Sequence, residues 1–243
     1  MRDDIFLNKM RDVKRLCDKY RTAKFSRFLD CREQELLRKN GILGTLFGGY
    51  DGAERRILGV FPDWEEPQYS SYPIDLIKFT PKCENSLSHR QYLGTILSLG
   101  IERDKIGDIL TEPEYAYVFL SSDISELILQ NIKKVAGCGV SAELADIKTV
   151  RLPEKKFEIV SCIVASMRLD AVLSGILNKS RNDAKSIIIS GRVFVNHFEV
   201  SKTDFCIKEG DLLSVRGFGR AEIFEIGAKT RSDKIHISYK KYI

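Results

Sequence analysis

The sequence predicts an α+β protein of three consecutive domains. These are an N-terminal α/β domain over residues 1–80, an α+β sandwich over 81–165, and a domain over 166–243 that sets a helix pair beside a small antiparallel sheet. Three observations carry this. At roughly 100–200 residues per domain, a chain of 243 residues holds one to three compact units. Helical apolar periods and strand-like runs come in mixed order, with turn signals between strands, unlike the regular alternation of a parallel sheet. A composition of 43% hydrophobic and 30% charged residues supports ordinary cores and excludes wholesale disorder.

Residues 1–40 read as helical. Ile5, Phe6, Met10, Val13, Leu16, Cys17 and Tyr20 recur at i, i+3, i+4 spacing, and a second helix runs over Asp30–Lys39, closed by Asn40-Gly41. The stretch carries 12 Lys/Arg against 7 Asp/Glu through Lys39, which a solvated helical face accounts for. The glycine-rich Gly48–Gly52 lacks a following GK[ST] and opens no helix, so it reads as a turn and not as a phosphate loop. Strands are expected at Ile57–Pro62 and Ile74–Phe79.

The middle stretch begins with a helix over His89–Gly100, ending on a glycine suited to the position after a helix. Two strands follow, turning at Glu112-Pro113-Glu114. A helix capped by Ser122 or Asp123 comes next, and then two more strands, the second being Phe157–Val164. This order resembles an RRM in outline. It lacks the aromatic motif with which RRM sheets stack bases, so RNA binding by the middle domain does not follow from it.

In the last domain Leu169, Val172, Leu173, Ile176 and Leu177 form one helical face, broken at Asn178-Lys179. Ser180 caps a second helix with Asp183 three residues on, Ala184, Ile187 and Ile188 supply its buried side, and Gly191 ends it. Val193–Val195 and Phe198–Val200 are strands around the turn Asn196-His197, and Leu212–Val215 and Ala221–Glu225 follow the turn Gly210-Asp211. The start of the second helix points free N–H groups at a corner flanked by Lys179 and Arg181, and Arg181 and Lys185 share a face. Arg168 opens the first helix and Arg192 follows the second. Such a surface suits folded RNA, held by phosphate and shape more than by base edges.

The charge agrees with this placement. The net +5 lies wholly in residues 168–243, with 14 Lys/Arg against 9 Asp/Glu, while residues 1–167 hold 25 of each. That is the asymmetry of a polyanion-facing module on a neutral body. Cys17, Cys31, Cys83, Cys138, Cys162 and Cys206 form no CxxC, which excludes the usual zinc-finger and thioredoxin spacings and makes a disulfide framework unexpected. The charged N-terminus has no apolar core of a secretory signal, and the run Ile159–Met167 is too short to span a bilayer. A monomer in a reduced cytoplasm, without membrane, metal or cofactor, is expected.

RLDAVL, SRNDAKSIIISGRVFVN and KEGDLLSVRGFGR together resemble the S-four domain, the RNA-binding module named after the fourth small-subunit ribosomal protein, over roughly Met167–Ile226. Asn196-His197 stands where Asn-Gly is usual. Leu87–Ile109 and the ending Val215–Arg220 are similar to the YlmH family of bacterial cytoplasmic proteins, a likeness over nearly the whole chain. The resemblance implies a C-terminal S-four domain that binds large-subunit rRNA and tRNA, and a role in translation or in ribosome-associated quality control of stalled nascent chains. The RNA contacts it would use are Arg168, Lys179, Ser180, Arg181, Lys185 and Arg192, extended by Asn196, Lys202, Arg216 and Arg220.

The rival reading is an enzyme. Arg168-Leu169-Asp170 with Leu173-Ser174-Gly175 resembles the stretch around the catalytic aspartate of RNA pseudouridine synthases, which act on a flipped-out uridine. Here that stretch opens the helix pair itself, where an acid in the first turn is favoured by the helix dipole. His89, His197 and His236 have no nucleophile motif beside them, and no cofactor loop is present. A non-enzymatic RNA-binding protein is the expectation. A scaffold whose neutral domains bind protein is a third possibility.

Overall fold

A computed structural model describes residues 2–84, 86–153, 157–229 and 233–242. It is a mixed α+β chain that divides into two compact units, Met1–Pro153 and Glu154–Ile243.

The first unit begins with α1 (Arg2–Tyr20), β1 (Lys24–Leu29), α2 (Cys31–Lys39), β2 (Thr45–Phe47) and β3 (Arg56–Val60). Its three strands form a sheet in the order β1-β3-β2, antiparallel throughout, so the α/β character expected for residues 1–80 gives way to α+β. Strand β1 replaces a stretch expected to be helical. Its neighbouring residues Phe28 and Leu29 are both buried, in different clusters, so the strand is covered on both faces there and no apolar–polar period of two is visible; a bulge lies between Phe25 and Phe28. Asp30 accepts from the Glu33 N–H at 2.8 Å while Glu33 accepts from the Asp30 N–H at 3.0 Å, a full capping box that starts α2.

Next come β4 (Ile74–Pro81), α3 (His89–Leu97), β5 (Ile106–Thr111), β6 (Ala116–Ser121), α4 (Ser125–Asn131), β7 (Lys134–Val135) and β8 (Cys138–Ala145). Ser122–Ile124 form a short 3-10 turn, so α4 begins at Ser125, beyond the expected cap. The antiparallel sheet runs β5-β6-β4-β8-β7. Its Ile77, Phe79, Val118 and Leu120 bury Tyr92, Ile96 and Ile128 of the two helices. Its other face, through Leu76, Tyr117 and Phe119, packs on Phe28, Ile57 and Tyr72. The face on which an RRM stacks bases is therefore filled by the chain's own aromatics. Asp108 ties the two sheets together, accepting from the Tyr50 hydroxyl at 2.8 Å and from the N–H groups of Glu54 and Arg55 at 2.7 and 3.0 Å.

Cys83 and Cys138 form a disulfide across 55 residues of sequence, against the expectation of a fully reduced chain. Their separation gives no local spacing signal; β4 and β8 bring them together by pairing Pro81 with Val140. Among the described residues, no helix is long and apolar enough to cross a membrane.

The second unit contains β9 (Phe157–Val164), α5 (Leu169–Leu177), α6 (Arg181–Ile189), β10 (Val193–Val195), β11 (Phe198–Glu199), β12 (Leu212–Val215), β13 (Gly219–Lys229) and β14 (Ile235–Tyr242). One antiparallel sheet runs β11-β10-β12-β13-β14-β9. Strand β9, expected in the middle sandwich, pairs with β14 over eight residues, from Ile235↔Val164 to Tyr242↔Phe157. An apolar run reads alike in either sheet, and only the unforeseen β14 decides between them. The helix pair covers one face, with Leu169, Val172, Leu173, Ala184 and Ile188 buried against Val193, Leu213, Ile223 and Ile237.

Helix α5 lies close on β9. A Cβ on Gly175 would stand 2.8 Å from Val164 Cγ1 and 3.1 Å from Cys162 Sγ. Gly175→Val is therefore expected to destabilise the second unit by about 1–2 kcal/mol through overpacking, read as a lower urea midpoint. An unchanged midpoint would show that α5 can lift off β9 without cost.

Candidate nucleic-acid interface

The interface is built around two corners of the second unit. The first is the start of α5. Arg168 occupies the N-cap with an extended backbone (φ −72, ψ 142) and pairs with Cys206 in an isolated β-bridge. The N–H groups of Leu169 and Asp170 donate to the carbonyls of Phe205 and Thr203 at 2.8 and 3.0 Å, so the loop closes this helix end.

Asp170 is completely buried there. Arg168 donates to its two oxygens through Nε and Nη2 at 3.2 and 3.4 Å, and Arg181 does the same at 3.1 and 3.3 Å. Burial by itself pushes the Asp170 carboxyl up. The hydrogen bonds and positive charge of Arg181 and Arg168 outweigh it, and its pKa lies below the ordinary aspartate value. The arginine side chains are 45% and 47% exposed. One buried anion thus holds two half-exposed cations side by side, one on each helix.

The second corner is the α5–α6 turn. Asn178 in the left-handed region (φ 49) ends α5, and the Ser174 hydroxyl donates to the Lys179 carbonyl at 2.7 Å. The Ser180 hydroxyl accepts from the Asp183 N–H at 3.1 Å and donates to the Asp183 carboxylate at 2.7 Å, so the cap is closed by the side chains themselves. Lys179 Nζ then lies 5.6 Å from the Phe218 ring centre, and the Arg192 guanidinium lies 5.9 Å from the same ring. Arg192 donates through Nη2 to the Arg216 carbonyl at 2.9 Å, and Arg216 stands over Phe194 at 5.0 Å. Arg220, in β13, pairs with Ser214 of β12 just beyond the turn.

Lys179, Arg192, Arg216 and Arg220 are thus gathered at the β12–β13 hairpin, and Arg168 and Arg181 at Asp170. Lys185 is half-buried on α6, and Lys202 is exposed in the loop before Phe205. Asn196 is placed differently. Its amide donates to Asp211 at 2.7 Å and accepts from the Leu212 N–H at 3.0 Å, which braces the hairpin. Asn196 and His197 both take positive φ (48 and 71), the backbone of a primed two-residue turn.

Two residues of this surface escaped the charge-based reading. Phe218 is an exposed aromatic between Gly217 and Gly219, signalled in sequence only by the glycines around it. Asp170 organises the arginines, a role hidden by the 11 residues that separate it from Arg181.

Residues 67–149 match the family model described as the putative RNA-binding domain in YlmH, and these residues lie in the first unit. Over 242 residues the chain is 31% identical to the ribosome-associated protein quality control protein P2 of Bacillus subtilis, an alignment covering 97% of this chain and 94% of that protein. A solved structure, the cell division protein ylmH from Streptococcus pneumoniae, aligns with a TM-score of 0.53 at 22% identity, covering 61% of this chain and 93% of that one.

Proposed function

The chain belongs to the YlmH family, and on that premise we propose that it is a non-enzymatic RNA-binding protein that works on the large ribosomal subunit, holding rRNA and tRNA during quality control of stalled nascent chains. In this reading residues 166–243 act as an S-four module. The protein acts as a cytoplasmic monomer without cofactor.

The observation that carries the reading is the double basic corner: Arg168 and Arg181 pinned by Asp170, with Lys179 and Arg192 against Phe218. Pinned guanidinium groups lose less conformational freedom when they meet phosphates, and they set the register of the RNA. The relative's name, a ribosome-associated quality control protein, supports the ribosome as the place where that RNA is met. The filled face of the first unit's sheet favours contacts by its edges and loops over base stacking on the sheet. For Asp170 the proposal is a positioning role, since both of its oxygens are taken by arginines.

The test is crosslinking in cells followed by sequencing of the bound RNA. Large-subunit rRNA together with tRNA is the expected result. Recovery of one short stem-loop carrying an isomerised uridine would overturn it in favour of the enzyme.

A further inference from the structure

Between the C-terminal half of α5 and the sheet of the second unit lies a cleft of about 230 Å³. Leu173, Leu213 and Tyr239 are buried residues that line it, Phe218 forms part of its wall, and Arg220 and Lys241 also line it. Pairing of Lys241 with Ala221 puts the lysine on the helix-covered side of the sheet. None of the residues around the cleft is acidic. The volume is below the roughly 300 Å³ at which pockets for drug-sized ligands begin, so the space suits one small group.

Three features select that group. Phe218 is 45% exposed and borders the cleft. It is carried by Gly217 and Gly219, whose positive φ values (87 and 105) make a turn that projects a single residue. Lys179 and Arg192 stand over the ring within 6 Å of its centre, so a ligand that takes their place on the ring meets positive charge beside it. The third feature is Tyr239, 4% exposed, whose hydroxyl has no hydrogen-bond partner among the described residues. An apolar floor, a half-exposed aromatic ring, a hydroxyl without a protein partner and a cationic rim suit a nucleobase with its phosphates.

We propose that this cleft holds one unpaired RNA base, stacked on Phe218, with its flanking phosphates on Lys179 and Arg192. The site deepens the RNA-binding reading and rests on it. It adds a preference that basic patches alone do not supply: RNA with a base out of the helix over fully paired RNA.

The experiment uses the full-length protein and two hairpin RNAs. One carries a single bulged 2-aminopurine; in the other the same nucleotide is paired. The bulged hairpin is expected to bind about tenfold more tightly, with its fluorescence quenched as the base stacks. Phe218→Ala is expected to abolish both the preference and the quenching, so that the two hairpins bind equally. Phe218→Tyr is expected to keep both. Equal binding of the two hairpins by the unaltered protein, or a preference that survives Phe218→Ala, overturns the base site and leaves the RNA-binding reading standing. Failure to bind either hairpin at low salt overturns both.

Discussion

Asp170→Ala is expected to destabilise the second unit by about 3 kcal/mol, seen as a lower midpoint of its transition in urea. Breaking a buried charge pair by removing one partner typically costs about 3–5 kcal/mol, and the lower end applies because Arg168 and Arg181 are each nearly half exposed and regain water when released. The pH dependence gives an independent check. The folded pKa of Asp170 is depressed, so its stabilisation is present above the unfolded aspartate value of about 3.9 and is lost as pH falls through the folded value. The unaltered protein should lose stability in that acid window more steeply than Asp170→Asn, which has no carboxyl to protonate there.

The same substitution separates charge from position in RNA binding. Removing an anion makes the corner more positive, which alone would tighten binding. At physiological salt that gain is screened over about 8 Å, whereas freeing two arginines costs about 0.5–1.5 kcal/mol each when they must be ordered again on RNA. Position outweighs charge, and affinity at 0.15 M salt should fall about fivefold. Equal or tighter binding would confine Asp170 to a purely stabilising role.

What could be seen in the sequence follows how local each feature is. Helices α5 and α6 announce themselves through a 3.6-residue apolar period, Ser180 at one end and Gly191 at the other, all within a few residues of one another. Strand β9 is visible as a strand but not as a member of its sheet, since its partners on β14 lie 71 to 85 residues on. Strand β1 is hidden by burial on both of its faces at Phe28 and Leu29. The site divides in the same way. A list of basic residues finds Lys179, Arg181 and Arg192, because charge is a property of single positions. Which of them are pinned is a matter of long-range geometry: Arg181 needs Asp170 on the other helix, and Arg192 needs the Arg216 carbonyl on β12's far end. Asn196 shows the converse, a polar residue in a basic neighbourhood whose side-chain hydrogen bonds tie its turn to Asp211 and Leu212 at the start of β12.

Replacing Arg181 and Lys185 together by Ala is expected to weaken RNA binding about 30-fold at moderate salt, uniformly over RNA sequences. The two residues stand one helical turn apart on α6, so they meet neighbouring phosphates of one strand or groove. Each phosphate contact releases counterions and contributes about 0.7–0.9 to the slope of log affinity against log salt, so the double variant should show a slope shallower by about 1.5. Lys185→Ala alone should account for about half of the change in slope, which isolates phosphate contact from any disturbance of Asp170, because Lys185 makes no bond to that carboxylate while Arg181 does. In Arg181→Ala the carboxylate keeps Arg168, so the fold has a remaining counter-charge and the affinity can be measured on folded protein. A loss confined to particular RNA sequences would mean that α6 reads bases. Unchanged affinity and slope in the double variant would remove α6 from the interface and leave the β12–β13 hairpin, with Lys179 and Arg192, as its only basic corner.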